Sequence, residues 1–196
     1  MPSESPKALP GLDDFFSPQG GGSSSLSSPQ QSGSLPKPEE VIKDATVKKA
    51  LEEAWSDMLK RSTKDQRQEV GFWIYYDPVK KQYYIGKKRY GMAVKNDGKV
   101  RGNISLGDKS PSIKGVPATA KVVASFHTHT PMTEIKGKKR KAGPSKEDKG
   151  NADKNRIPII VYDYIGTKDP RTNDYYVIGG HKVSDPKKMY IYQPKK

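Results

Sequence analysis

Two of the three histidines in this 196-residue chain lie two positions apart, in Ser125-Phe126-His127-Thr128-His129, at the end of an apolar run. Sixteen residues beyond His129 the chain reads Ser145-Lys146-Glu147-Asp148. In a β-strand, residues i and i+2 share a face, so both imidazoles can turn toward one point. Asp148 adds a carboxylate from a separate element. Two imidazoles and a carboxylate, with a fourth position left for water, are the donor set of a catalytic zinc site. The chemistry of such a site is metal-assisted hydrolysis, because the ion polarises a carbonyl and activates water near neutral pH.

Each half of the pattern also has a plainer reading. Paired histidines occur in ordinary cores and loops. Ser-x-x-Asp resembles a capping box, whose acidic residue suits the positive end of a helix. His181, after Gly179-Gly180, reads as a surface or turn residue, since a fourth protein ligand would close the site to water.

The elements that must position these groups can be read from periodicity. Asp44 can cap a helix whose apolar positions are Val47, Leu51, Ala54, Trp55 and Met58, one face at helical spacing and more naturally core than partner surface. Residues 71–76 are aromatic and β-branched, end at Asp77-Pro78, and return over 82–85, which predicts a hairpin. Short strands fit around 100–106, in a polar, Gly-rich stretch. A strand over 121–129 carries the histidine pair, and Ser145 caps a helix to about Lys154. A buried strand follows over 157–162, with Pro158 near its start, and two more are expected at 175–178 and 189–192. The fold class is α+β, with mostly antiparallel strands flanked by two helices. Residues 1–38 are rich in Ser, Pro, Gly and Gln and are expected to be a disordered tail, leaving one domain over 39–196. The patch Leu9-Pro10-Gly11-Leu12-Asp13-Asp14-Phe15-Phe16 interrupts that tail as a sticky segment or a docking motif.

Composition removes several function classes. With no cysteine, the chain has no disulfide, no thiol nucleophile and no thiolate-held zinc, and the cysteine-dependent zinc deaminase pattern is impossible. There is no phosphate-binding Walker loop or dinucleotide fingerprint. No apolar run approaches a membrane span, and the first residues lack the layout of a secretory signal, which leaves specialised export open and localisation unassigned. The net charge is +14: residues 1–40 carry −3 and the rest +17, so the body should attract polyanions or acidic protein surfaces. Lys80-Lys81, Lys87-Lys88-Arg89, Lys187-Lys188 and the run 136–141 form its basic surface, with Tyr83, Tyr84 and Tyr90 interleaved. Base stacking on those tyrosines would suit nucleic acid, but strand tyrosines more often pack sheets.

An apolar strand ending in His-x-His, then a loop, then Pro-Ser-x-x-Asp, resembles the JAMM (JAB/MPN) zinc metalloproteases, closest to the JAB-like domains of bacterial toxins and effectors. The resemblance covers roughly residues 45–165. It implies zinc as cofactor, bound by His127, His129 and Asp148. By the same resemblance Glu69, at the head of the first aromatic strand, is the general acid/base, and Ser145 stabilises the oxyanion. The implied fold is a curved sheet packed with helices, in a cytidine-deaminase-like layout. The implied reaction is hydrolysis of a peptide or isopeptide bond in a protein substrate, ubiquitin-like or acidic, with an immunity protein as partner if the chain is a toxin. Here Thr130 stands before Pro131 where many members have proline, and the spacer to Ser145 is longer and basic. Two other classes stay open on the residues alone. One is a non-enzymatic basic module binding nucleic acid or protein; the other is a metal-dependent nuclease using the same ligands.

Overall fold

The computed structural model describes residues 34–63, 65–95, 100–110, 115–132, 134–135, 138–139, 141–165 and 187–195, with backbone alone at 134–135 and 138–139. The expectations for the tail through residue 33, the strand at 175–178, His181, and the side chains of the basic run up to Arg140 lie outside the described residues.

Three helices and ten strands are described: α1 (Pro38–Val41), α2 (Ala45–Arg61), β1 (Gln66–Arg67), β2 (Val70–Asp77), β3 (Gln82–Ile85), β4 (Arg89–Tyr90), β5 (Val94–Lys95), β6 (Lys121–Thr128), β7 (Glu134–Ile135), β8 (Lys138–Lys139), α3 (Lys146–Asn155), β9 (Ile159–Tyr164) and β10 (Lys187–Tyr192). The main sheet runs β10-β9-β6-β2-β3, with β4 also paired to β2. β6 and β9 are parallel, and the other pairs are antiparallel. The fold is therefore α+β with a mixed sheet. Its single parallel pair stands among antiparallel ones, in line with the mostly antiparallel expectation. A parallel pair requires a crossover, and α3 supplies it between β6 and β9.

α2 starts where Asp44 accepts a hydrogen bond from the Val47 amide at 3.0 Å. Its buried face, Val47, Leu51, Ala54, Trp55, Met58 and Leu59, lies on Val70, Phe72, Ile74, Ala124, Phe126, Ile160 and Tyr162 of the sheet. Each buried aliphatic side chain there contributes about 1.5–3 kcal/mol. Tyr162 ties the layers together, edge-on to Phe126 at 5.3 Å and to Trp55 at 6.2 Å. The parallel pair that carries the histidines is thereby held against α2. On the opposite face α3 seats Ala152 on Ile159 and Val161. Alternation along β9 thus sends Ile160 and Tyr162 to one layer and Ile159 and Val161 to the other.

Residues 100–110 form no strand. Val100, Gly102, Ile104 and Leu106 alternate with polar residues, but the segment pairs with no described strand, and Gly107, with a φ of +70°, lies outside the strand region. No described helix is long and apolar enough to cross a membrane.

β2 and β6 approach closely where Gly71 pairs with His127. A Cβ at residue 71 would stand 2.5 Å from the Phe126 carbonyl oxygen and 2.9 Å from both His127 Cβ and Leu106 Cδ2. Backbone cannot yield as a flexible side chain can, so Gly71→Ala is expected to cost about 2–4 kcal/mol and shift His127. Chemical denaturation checks this, and an unchanged midpoint would contradict it.

Candidate metal centre

Topology brings four groups to one end of the sheet. β6 and β9 run parallel, so α3 returns antiparallel to them and its N-terminus lies near the carboxyl end of β6. β2 is antiparallel to β6, so the start of β2, preceded by Glu69, lies there too. The strand end is clamped by Thr128, whose Oγ1 accepts from the Val70 amide at 3.0 Å and donates to the Val70 carbonyl at 3.3 Å. The His129 amide then donates to the Tyr162 carbonyl at 2.8 Å, carrying the ladder past the last strand residue.

Three side chains converge as the spacing predicts. The Nε2 atoms of His127 and His129 are 3.2 Å apart. Asp148 Oδ1 lies 3.4 Å from His127 Nε2, and its Oδ2 lies 3.3 Å from His129 Nε2. Zinc–nitrogen and zinc–oxygen bonds of about 2.0–2.2 Å put neighbouring donors of a tetrahedron about 3.3–3.6 Å apart. The separations, one to each oxygen of the Asp148 carboxylate, lie close to those edges, and one ligand atom from each of the three residues falls within 4.8 Å of the other two, so the group could hold a metal ion. Its nitrogen and oxygen donors suit a divalent transition-metal ion.

Asp148 is held by the cap of α3. Ser145 Oγ accepts from the Asp148 amide at 3.1 Å, and the Ser145 amide donates to Asp148 Oδ2 at 2.7 Å. The reciprocal bonds make Ser145 the residue that orients the ligand. Ser145 lines the same cleft as Glu69, His129 and Asp148. Glu69 is 7% exposed, beside Gly102, where a Cβ would come within 2.9 Å of its Oε1. Of the other nearby glutamates, Glu147 is on the surface, 4.0 Å from Arg101.

Asp163 is the participant that sequence reasoning missed. It is fully buried, with Oδ2 3.0 Å from His129 Nδ1 and accepting from the Gly143 amide at 2.7 Å. A carboxylate on the far nitrogen fixes the imidazole's orientation and raises its basicity as a ligand. The signal was present in the sequence: an acid inside the apolar run Ile159–Tyr164 must be paired if that strand is buried. Asp163→Asn is expected to weaken zinc binding about 10–100-fold while retaining a full-length folded chain. A competitive chelator titration measures this, and wild-type affinity would deny Asp163 a positioning role.

The charges in the cluster are strongly coupled. Burial disfavours protonated His129, but its hydrogen bonds to Asp148 and Asp163, with the charge of Glu69 nearby, push it up to about 9. Burial also works against the Asp148 charge, yet the two imidazoles hold its carboxyl well below the ordinary 3.8. The His129 contribution to the zinc-free fold is full below pH 6.5, its ordinary value, and is lost as pH rises through about 9. The Asp148 contribution is present above 3.8 and is lost only far into acid. A metal ion held here would require unprotonated His129, so its loading would release a proton. Zinc affinity is thus expected to rise about tenfold per unit between pH 6.5 and 9, while the zinc-free chain melts at lower temperature across that window. Calorimetry in buffers of different ionisation enthalpy reads the released proton, and pH-independent affinity would contradict the assignment.

Compared with protein-family models, curated proteins and solved structures, the chain matches none.

Proposed function

We propose that the chain is a zinc-dependent hydrolase of JAMM-like type that cleaves peptide or isopeptide bonds. The observation carrying this reading is the convergence of His127, His129 and Asp148, whose two imidazole Nε2 atoms lie 3.2 Å apart and each 3.3–3.4 Å from an oxygen of the carboxylate. Its support comes from Asp163 behind His129 and from Glu69 in the same cleft.

Zinc held by the three side chains would supply a Lewis acid and lower the pKa of water. The protein's own groups handle the remaining steps. The Glu69 carboxylate takes a proton from water as its oxygen attacks the carbonyl carbon. The Ser145 hydroxyl, whose oxygen accepts the capping bond, gives its hydrogen to the Glu147 carboxylate and would turn it to the developing oxyanion as substrate enters. As the carbon–nitrogen bond breaks, Glu69 returns the proton to the departing amine.

The test is incubation of the purified full chain with linked ubiquitin chains, a generic protein and DNA, each with and without chelator. Chelator-sensitive cleavage of peptide or isopeptide bonds is expected. DNA cleavage without proteolysis would overturn the reading in favour of a nuclease, and no cleavage at stoichiometric zinc would favour a binding module.

A further inference from the structure

The cleft has a negative floor and a positive rim. Glu69 and Asp148 line the floor, with Asp163 buried behind His129, so three carboxylates outweigh the two charges of a divalent ion. Around the mouth stand Arg101, Lys141, Lys146 and Lys149, all exposed. Among the described lining residues, the acid at the surface is Glu147, and it is already turned to Arg101 at 4.0 Å.

Two of these cations occupy positions that helix stability disfavours. Lys146 is the first residue of α3 and Lys149 lies one turn in, at the end where the helix dipole repels cations. The acids of that turn are occupied: Asp148 faces the imidazoles, and Glu147 faces Arg101. The lysines thus add to the positive end of the helix and leave an anion-attracting field over the mouth.

We propose that this cleft selects an acidic peptide, with a neutral scissile unit on the floor and Asp or Glu side chains against the rim; this rests on the hydrolase reading above. A phosphodiester backbone would bring its charge onto the carboxylate floor, whereas a peptide carbonyl brings none. The walls agree with a peptide. Val100, Ile104, Met132 and Pro144 are apolar and non-aromatic, and the aromatic rings among the described lining residues are Tyr190 and the His129 imidazole, already engaged by Asp148 and Asp163. Single-stranded nucleic acid is held on successive aromatic platforms. Glu147 competes with the substrate for Arg101, and an incoming carboxylate takes its place.

The probe is a fluorescent peptide containing Asp and Glu, titrated into the zinc-loaded full chain beside its Asn/Gln isostere and a single-stranded oligonucleotide. The acidic peptide is expected to bind roughly tenfold tighter than the isostere, with the gap closing at high salt. Lys146→Gln combined with Lys149→Gln should weaken the acidic peptide roughly five- to tenfold and leave the isostere unchanged. Glu147→Gln should strengthen it about twofold. Equal binding of the isostere, or no effect of the paired lysine variant, overturns the proposal, and tighter binding of the oligonucleotide replaces it with a nucleic-acid site. Binding requires no cleavage, so the two readings fail separately. If the charge preference persists while the wild type cuts nothing, only the hydrolase reading falls. If the wild type cuts acidic and neutral peptides equally well, only the acidic preference falls.

Discussion

Replacing His127 by alanine is expected to take bound zinc from about one ion per chain to a trace, while the chain stays folded. Three protein ligands share the binding free energy, and losing one should weaken zinc roughly a hundredfold or more. His127 is the ligand to remove first because of what it leaves behind. Its Nε2 faces His129 and Asp148, and Asp148 keeps the Ser145 amide and His129 as partners. His129→Ala should also lose zinc, but it strips the fully buried Asp163 carboxylate of its imidazole partner. Asp163 keeps the Gly143 amide, so the loss is that of one charge-assisted hydrogen bond, about 1.5–3 kcal/mol, and His129→Ala should unfold at lower denaturant than His127→Ala. Metal analysis of purified protein, with denaturation of the zinc-free variants, reads both parts. Stoichiometric zinc in His127→Ala would remove the centre, and equal zinc-free stability of the two variants would remove the structural role of the His129–Asp163 pair.

The legibility of this centre from sequence follows the range of the interactions that build it. α2 was readable because Asp44 and the apolar spacing from Val47 to Met58 are local, and packing on the sheet did not compete with them. The same holds for Ser145, whose capping box closes within four residues and happens to aim the ligand. The histidines were legible because strand period alone puts 127 and 129 on one face. Asp163 was not found, since its partner lies 34 residues away and no local pattern links an acid in β9 to an imidazole at the end of β6. Gly71 escaped for a related reason: its need for a bare Cα arises from β6, which no hairpin rule predicts. The parallel β6–β9 pair was signalled by strand, helix, strand in succession, and the antiparallel neighbours of β2 in part by the hairpin over 71–85. The stretch 100–110 carried short-strand propensity but serves as a wall of the cleft, where Gly102 gives the Glu69 carboxylate its space.

Glu69→Gln is expected to lower the rate of hydrolysis about 10²–10⁴-fold and leave zinc content unchanged. The amide is isosteric and fits the space beside Gly102, but it can neither accept the proton of water nor carry it to the leaving amine. Substrate affinity should move little, because the residue acts on the proton and not on the substrate's rim contacts, so the loss should appear in kcat rather than KM. Removing the Glu69 charge also takes away one of the groups that raise His129. Zinc should therefore bind Glu69→Gln at least as well at neutral pH, since less proton must be displaced. A dead enzyme with full zinc is thus the signature of the acid/base role, and a dead enzyme without zinc would reassign Glu69 to holding the centre together. Gly102→Ala separates these further: its new Cβ would stand 2.9 Å from Glu69 Oε1 and 3.2 Å from Cδ, displacing the carboxylate without altering its chemistry. A partial loss of kcat there, with zinc retained, would tie the rate to where that carboxylate sits; wild-type kcat in both variants would take Glu69 out of the mechanism.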